Sequence, residues 1–106
     1  MALTREFKQT IQARVLADRR FRDALLRDGI ERLLGGDVDS GKAILRDYIK
    51  ATVGFEQLGV ETGASAKSLI RMFGPRGNPQ ARNLFAVISH LQRQAGLTLH
   101  VTARSD

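Results

Sequence analysis

The side chains with the clearest chemistry in this 106-residue chain are cations in its last third. Lys67 and Arg71 are four residues apart, so on a helix they would project from one face. Such cations bind phosphate oxygens and the acceptor atoms of base edges. The same stretch also carries Arg76, Arg82, Arg93 and Arg104. Together these residues indicate a surface that attracts a polyanion.

The position of the charge is more informative than its total. The chain has 17 Lys and Arg, 11 Asp and Glu, and a formal net charge of +6. Residues 1–61 hold eleven basic and ten acidic residues, whereas residues 62–105 hold six basic residues and no acidic one. A field of one sign attracts polyanions. A solvated basic face would have the same composition, so charge alone does not distinguish it from a nucleic-acid surface.

The composition argues against several classes of function. The chain has no cysteine, which excludes disulfides, cysteine-ligated zinc and thiol catalysis. His90 and His100 fall on different predicted elements without a nearby carboxylate, so neither a metal site nor a Ser-His-Asp triad is expected. One tyrosine and no tryptophan argue against a stacking platform for single strands. We therefore expect no enzyme activity, no metal and no cofactor.

The length and hydropathy pattern point to a single small cytoplasmic protein. A chain of 106 residues suits one domain with a modest core. No apolar run approaches the roughly 20 residues that span a bilayer. The first ten residues are charged and lack the apolar centre of a signal peptide. We expect a cytoplasmic location without membrane contact.

Glycine and proline divide the sequence into segments with helical periodicity. The predicted helices cover residues 4–17, 21–34, 38–51, 55–62, 66–73 and 79–94. The predicted N-caps are Thr4, Asp37, Ser65 and Asn78. In the last helix, the residues predicted to face the core are Leu84, Phe85, Ile88 and Leu91.

Residues 55–73 have the pattern of two short helices joined by a tight turn. Gly59 is small where the helices would cross, Gly63 can adopt the positive φ of the turn, and Ser65 can cap the second helix. This pattern is typical of a helix-turn-helix, whose second helix enters the major groove of DNA. An ordinary hairpin of two helices shows similar spacing, but the basic second helix favours DNA binding.

The tail changes to a period of two. Leu97, Leu99 and Val101 alternate with polar residues, as in a half-buried strand. A single strand needs a partner for its backbone groups, and no second strand is evident. We expect the same strand of another copy to pair antiparallel across a two-fold axis. Leu97, Leu99 and Val101 are therefore the predicted dimerisation residues.

Residues 38–102 resemble the HigA-type antitoxin family of transcriptional regulators. The resemblance rests on the Thr-Gly-x-Ser turn, the Lys-Ser-Leu helix and, most specifically, Gly77-Asn78-Pro79. It implies an all-α, lambda-repressor-like helix-turn-helix bundle that dimerises, binds operator DNA and represses its own operon. It also implies neutralisation of a RelE-like ribonuclease toxin. The chain departs from the family at Ala66, where a polar or basic residue often follows the capping serine.

The sequence therefore predicts an N-terminal helical region (1–36), a helix-turn-helix domain (37–96) and a C-terminal strand and tail (97–106). The expected partners are double-stranded operator DNA and a second copy of the chain. The predicted DNA-binding residues are Ser65, Ala66, Lys67, Ser68, Arg71, Arg76, Asn78 and Arg82. The alternative is a protein-interaction module that neutralises a RelE-like toxin, with DNA binding secondary.

Overall fold

The structure, a computed structural model, describes residues 12–106, and in that part it is a bundle of helices. The Thr4 cap and the start of the first predicted helix lie outside the described residues. Residues 12–17 are helical and are followed by a break at Asp18. The next five helices are α1 (Arg19–Leu34), α2 (Val38–Ala51), α3 (Phe55–Thr62), α4 (Ala66–Met72) and α5 (Ala81–Ala95). The predicted all-α class is confirmed for this part of the chain.

The helices α1 and α2 form a hairpin whose helix starts are capped by aspartates. The Asp18 carboxylate accepts a hydrogen bond from the Phe21 N–H at 3.2 Å. Asp37, as predicted, does the same for the Ser40 N–H at 3.3 Å. Between the helices, a Cβ added to Gly41 would lie 2.9 Å from the Gly29 carbonyl oxygen. The hairpin therefore closes to backbone contact, which only glycine at this position permits.

One hydrophobic core joins all five helices. The rings of Phe55 and Phe73 pack with centroids 6.3 Å apart, so the ends of the α3–α4 pair are tied together. Each large apolar side chain buried in such a core contributes about 1.5–3 kcal/mol. The other large buried members are Leu26, Leu45, Tyr48, Ile49, Leu58, Leu69, Val87, Ile88 and Leu91.

Two predictions for the last helix are wrong. The helix begins at Ala81 with Gln80 at its N-cap position, so Asn78 is not the cap. The preceding loop is held against α4 and α2 by contacts described below, so the helix begins two residues later than predicted. Phe85 is 59% exposed rather than buried. It lies beside the inward stripe, which Leu84 begins and Val87 continues.

The tail follows α5 after Gly96, which adopts a left-handed conformation with φ of 70°. Leu97 and Leu99 pack against the core, whereas Thr98 and His100 are exposed, so the predicted alternation of burial holds over residues 97–100. It fails at Val101, which is 78% exposed. No strand is formed within residues 12–106. Pairing with a second copy remains a prediction. None of the helices in this part of the chain has the length and hydropathy needed to cross a membrane.

Candidate nucleic-acid interface

The turn between α3 and α4 has the geometry that the sequence predicts. Gly63 has a φ of 77°, and its N–H donates to the Gly59 carbonyl at 2.9 Å. A Cβ added to Gly59 would lie 2.6 Å from the carbonyl oxygen of Ala64. The end of α3 therefore contacts the backbone that leads into α4. Glycine is required at one position for conformation and at the other for space.

The start of α4 is capped, and one side of the helix is open to solvent. The Ser65 hydroxyl accepts a hydrogen bond from the Ser68 N–H at 3.0 Å, which confirms the predicted cap. Leu69 is buried and fixes the helix to the core. Lys67 and Arg71 are exposed. The cap and the buried leucine thus leave two cations exposed, one turn apart.

A groove of about 540 Å³ lies beside α4, between the loop of residues 74–80 and the start of α5. Four of the predicted DNA-binding residues line it: Ser68, Arg71, Arg76 and Asn78. The other four, Ser65, Ala66, Lys67 and Arg82, do not line this groove. The Ala66 methyl group is half-buried against the core.

Lys42 holds this loop in place, a role that sequence reasoning missed. Its side chain, on α2, is only 3% exposed. The ammonium group donates to the Gly74 carbonyl at 2.9 Å and to the Gly77 carbonyl at 2.7 Å. The signal in the sequence is that Lys42 shares the inward helical stripe of Leu45 and Ile49, where an apolar residue is expected.

The loop is also held from the side of α4. The Gly77 N–H donates to the Gly74 carbonyl at 3.1 Å and closes a turn. A Cβ at Gly77 would overlap the carbonyl oxygen of Arg71, so the loop backbone lies directly on the last turn of α4. Arg76, between these two glycines, is exposed. Its position therefore depends on a fixed backbone, although the side chain extends into solvent.

In the part of the chain that the structure describes, the basic residues of this region are not neutralised by acids. Within residues 12–106, none of the six cations that follow residue 62 forms an ion pair. A cation left unpaired on the surface keeps its full charge for a partner. The six are Lys67, Arg71, Arg76, Arg82, Arg93 and Arg104.

The last acidic residue before the basic stretch is engaged with its neighbours. Gln57 donates to the Glu61 carboxylate at 2.9 Å, and Gln94 donates to it at 2.5 Å. His90 Nε2 lies 2.5 Å from the same carboxylate, so the expectation that His90 has no nearby carboxylate is wrong. The hydrogen bonds from Gln57 and then from His90 lower the pKa of Glu61 below its ordinary value. Glu61 thus joins α3 to α5, a link that sequence reasoning also missed.

No family model, curated protein or solved structure matches this chain.

Proposed function

We propose that this chain is a sequence-specific DNA-binding transcriptional regulator that acts as a dimeric repressor. The observation that carries the proposal is the set of unpaired, exposed cations on α4 and the loop that follows it. Lys67 and Arg71 lie on the second of two short helices joined by a three-residue turn, the arrangement of a helix-turn-helix. We assign the bundle to the lambda-repressor-like class on this ground and on the sequence resemblance.

In this proposal α4 is the recognition helix. An α-helix with its side chains is about 10–12 Å across, and the major groove of B-DNA is about 12 Å wide, so the seven-residue α4 can enter it. Lys67 and Ser68, in the first turn, face base edges. Arg71, one turn further, binds a phosphate at the edge of the groove. Ala66 is half-buried and is given no base contact.

The loop and α5 supply the remaining phosphate contacts. Arg76 is exposed on the loop that Lys42 fixes, and Arg82 is exposed in the first turn of α5. Asn78 lines the groove between them and donates from its amide to the same phosphate strand. Phosphate contacts of this kind set the register of a protein on DNA without reading its sequence.

A dimer makes the site complete. Two α4 helices related by a two-fold axis must lie about 34–36 Å apart to enter successive major grooves on one side of the duplex. The DNA site is then an inverted repeat. Repression follows from occupancy, because a bound dimer covers the promoter it overlaps.

Selection from a pool of random-sequence duplexes tests the proposal. The purified chain should retain duplexes that converge over successive rounds on an inverted repeat, with half-sites about 10–10.5 bp apart. A pool that is retained but never converges would contradict sequence-specific recognition. A pool that is not retained at low salt would contradict DNA binding itself, because phosphate contacts are strongest there.

A second candidate, capture of a RelE-like toxin, is favoured by one surface feature. Leu34 and Val38 are 63% and 47% exposed on either side of the Gly35-Gly36 turn. The exposed acids Asp37 and Asp39 lie beside them. An apolar patch with acidic neighbours fits a small basic ribonuclease.

Co-expression with a RelE-like ribonuclease tests this candidate. The chain should co-purify with the ribonuclease, and the double change Leu34→Ser, Val38→Ser should release it. The double change Lys67→Ala, Arg71→Ala is the matched control and should leave the complex intact. Equal release by both variants, or no complex with the unchanged chain, would contradict the toxin proposal.

A further inference from the structure

The tail uses one of its two backbone edges within its own chain. The Leu97 N–H donates to the Gln92 carbonyl at 3.1 Å, and the Leu99 N–H donates to the Gln92 side-chain oxygen at 2.7 Å. The Gln92 amide is itself tied to the Ile88 carbonyl at 3.4 Å. N–H groups of alternate residues in an extended segment point to the same side. The Leu97 bond closes the C-terminal turn of α5, so the Leu99 bond is the one that marks the odd-numbered edge as occupied by Gln92.

The even-numbered residues mark the other edge. Thr98, His100 and Thr102 are exposed. Within residues 12–106, the backbone N–H groups of these three residues have no hydrogen-bond partner from the protein. A free backbone edge of this kind is a template for pairing with another strand.

The side chains on the inward face are only partly covered by their own chain. Leu97 and Leu99 pack against the core, and so they are already committed to the fold. Val101 is next in the same alternation, yet it is 78% exposed. Val101 thus continues the half-buried row of Leu97 and Leu99 but is itself largely exposed.

The absence of charged residues makes this segment a favourable contact surface for a second copy. Each chain carries a net charge of +6, so two copies repel one another over most of their basic surfaces. Residues 94–103 contain no Lys, Arg, Asp or Glu, although Arg93 and Arg104 flank them. Two copies that meet through this segment bring no like charges into direct opposition.

We infer that two copies pair antiparallel through the free edge, with His100 opposite the partner's His100. This register pairs Thr98 with the partner's Thr102, and opposed threonines are a favourable cross-strand pair. It also places Val101 next to the partner's Leu99 on the inward face. Val101 is then the side chain that the dimer buries, whereas Leu97 and Leu99 serve their own core.

The inference refines the dimer that the proposed function requires, but its test uses no DNA, so each can fail separately. Residues opposed in a hydrogen-bonded antiparallel pair have Cα atoms about 5.5 Å apart, which suits a disulfide. Because the chain has no cysteine, a single introduced cysteine reports on one pair. Mild oxidation of His100→Cys should convert most of the protein into a covalent dimer.

Neighbouring positions give matched controls. In this register the two Thr98 residues are four positions apart along the strands, roughly 14 Å, and the two Val101 residues are two positions apart, roughly 7 Å along the strand and one strand spacing across. Thr98→Cys and Val101→Cys should therefore each form little disulfide alone. A mixture of Thr98→Cys with Thr102→Cys should form the heterodimer.

Three outcomes would overturn the inference. Faster self-crosslinking at Val101→Cys than at His100→Cys would place the two-fold axis at another residue. A wild-type chain that sediments as a monomer at the protein concentration used for crosslinking would show that the edge does not pair. A wild-type dimer in which neither His100→Cys nor the mixed pair crosslinks would place the interface elsewhere on the molecule.

Discussion

The helix α1 and the region from α4 to the start of α5 both carry many cations, but within residues 12–106 only the cations of α1 form ion pairs with acids. In α1 each of three arginines lies one turn from an acid, as in the pairs Arg19–Asp23 at 3.6 Å and Arg27–Glu31 at 3.9 Å. Exposed pairs of this type contribute only about 0.3–0.5 kcal/mol each. Their main effect is to cancel charge locally. Within residues 12–106 the second region forms no such pairs, so its charge remains available to a partner.

The two regions also differ in how they are held. The α1–α2 hairpin closes by direct backbone contact at Gly29 and Gly41. The loop of residues 74–77 is instead fixed by a long side chain, whose ammonium group belongs to Lys42 on α2. The charge-balanced hairpin is therefore the scaffold, and the basic region takes its geometry from it. Changes at Lys42, at the α3–α4 turn and at the caps test this division.

The largest effect is expected for Lys42→Met. The substitution keeps most of the side-chain length but leaves the Gly74 and Gly77 carbonyls without their charged donor. Hydrogen bonds to charged groups contribute about 1.5–3 kcal/mol, so we expect a loss of about 2–3 kcal/mol in the free energy of unfolding. Urea denaturation measures it. Lys50→Met, at an exposed position of the same helix, should change stability little. Equal stability of both variants would show that the loop does not depend on Lys42.

The next effect is expected at the α3–α4 turn. In Gly59→Ala the new methyl group would lie 2.6 Å from the Ala64 carbonyl oxygen, and backbone must move to relieve the contact. Overpacking of this kind costs about 1–3 kcal/mol. Thermal unfolding should show a lower midpoint than for Val60→Ala, the exposed neighbouring control. An unchanged midpoint for Gly59→Ala would mean that the two helices do not approach as closely as described.

A smaller effect is expected for the cap of α4. Ser65→Ala removes the acceptor for the Ser68 N–H and should cost about 1 kcal/mol. Ser65→Asp restores an acceptor and should recover most of that loss. Chemical denaturation of the two variants distinguishes a cap from a serine that merely faces solvent. If alanine and aspartate were equally stable, the capping role would be excluded.

The smallest effect is the pH dependence from Glu61. Its folded pKa is lowered, chiefly by the Gln57 hydrogen bond and then by His90, from an ordinary value of 4.5. The stabilisation is therefore complete above about pH 4.5 and is lost as the pH falls through the lower folded pKa. The difference in urea midpoint between the wild type and Glu61→Gln should shrink on acidification below pH 4.5. Glu56→Gln on the same helix is the control, and a difference that grows on acidification would contradict the assignment.

Local signals in the sequence account for most of the helices. Gly63 and Ser65 act through their own backbone and one hydrogen bond three residues away, so their roles are visible in a short window. The start of α5 is not visible in a short window, because the loop before it is fixed by Lys42. This residue lies 32 positions before Gly74 and 35 positions before Gly77. The same holds for Glu61, whose partners on α5 are 29 and 33 residues away.

The side of a helix was harder to predict than the helix itself. Phe85 fits an apolar pattern in the sequence, but the inward stripe passes through Leu84 and Val87 instead. One position along a helix rotates a side chain by about 100°, so a single apolar residue beside the stripe is assigned to the wrong face. The exposure of the candidate cations was predictable because charged side chains are rarely buried, and the lack of acids in residues 62–105 is read directly from the sequence.

The most direct test of the central claim compares two charge-matched double variants on duplex DNA. Lys67→Ala, Arg71→Ala removes two unpaired cations, and Arg27→Ala, Arg32→Ala removes two paired ones; the net charge falls by the same amount. Binding to random-sequence duplex is followed by fluorescence anisotropy over a salt series. The account predicts that the first variant binds at least about tenfold more weakly, with a salt slope reduced by about one for the lost Arg71 phosphate contact, while the second binds almost as the wild type does. Equal losses for the two variants would reduce the effect to net charge and contradict the recognition surface.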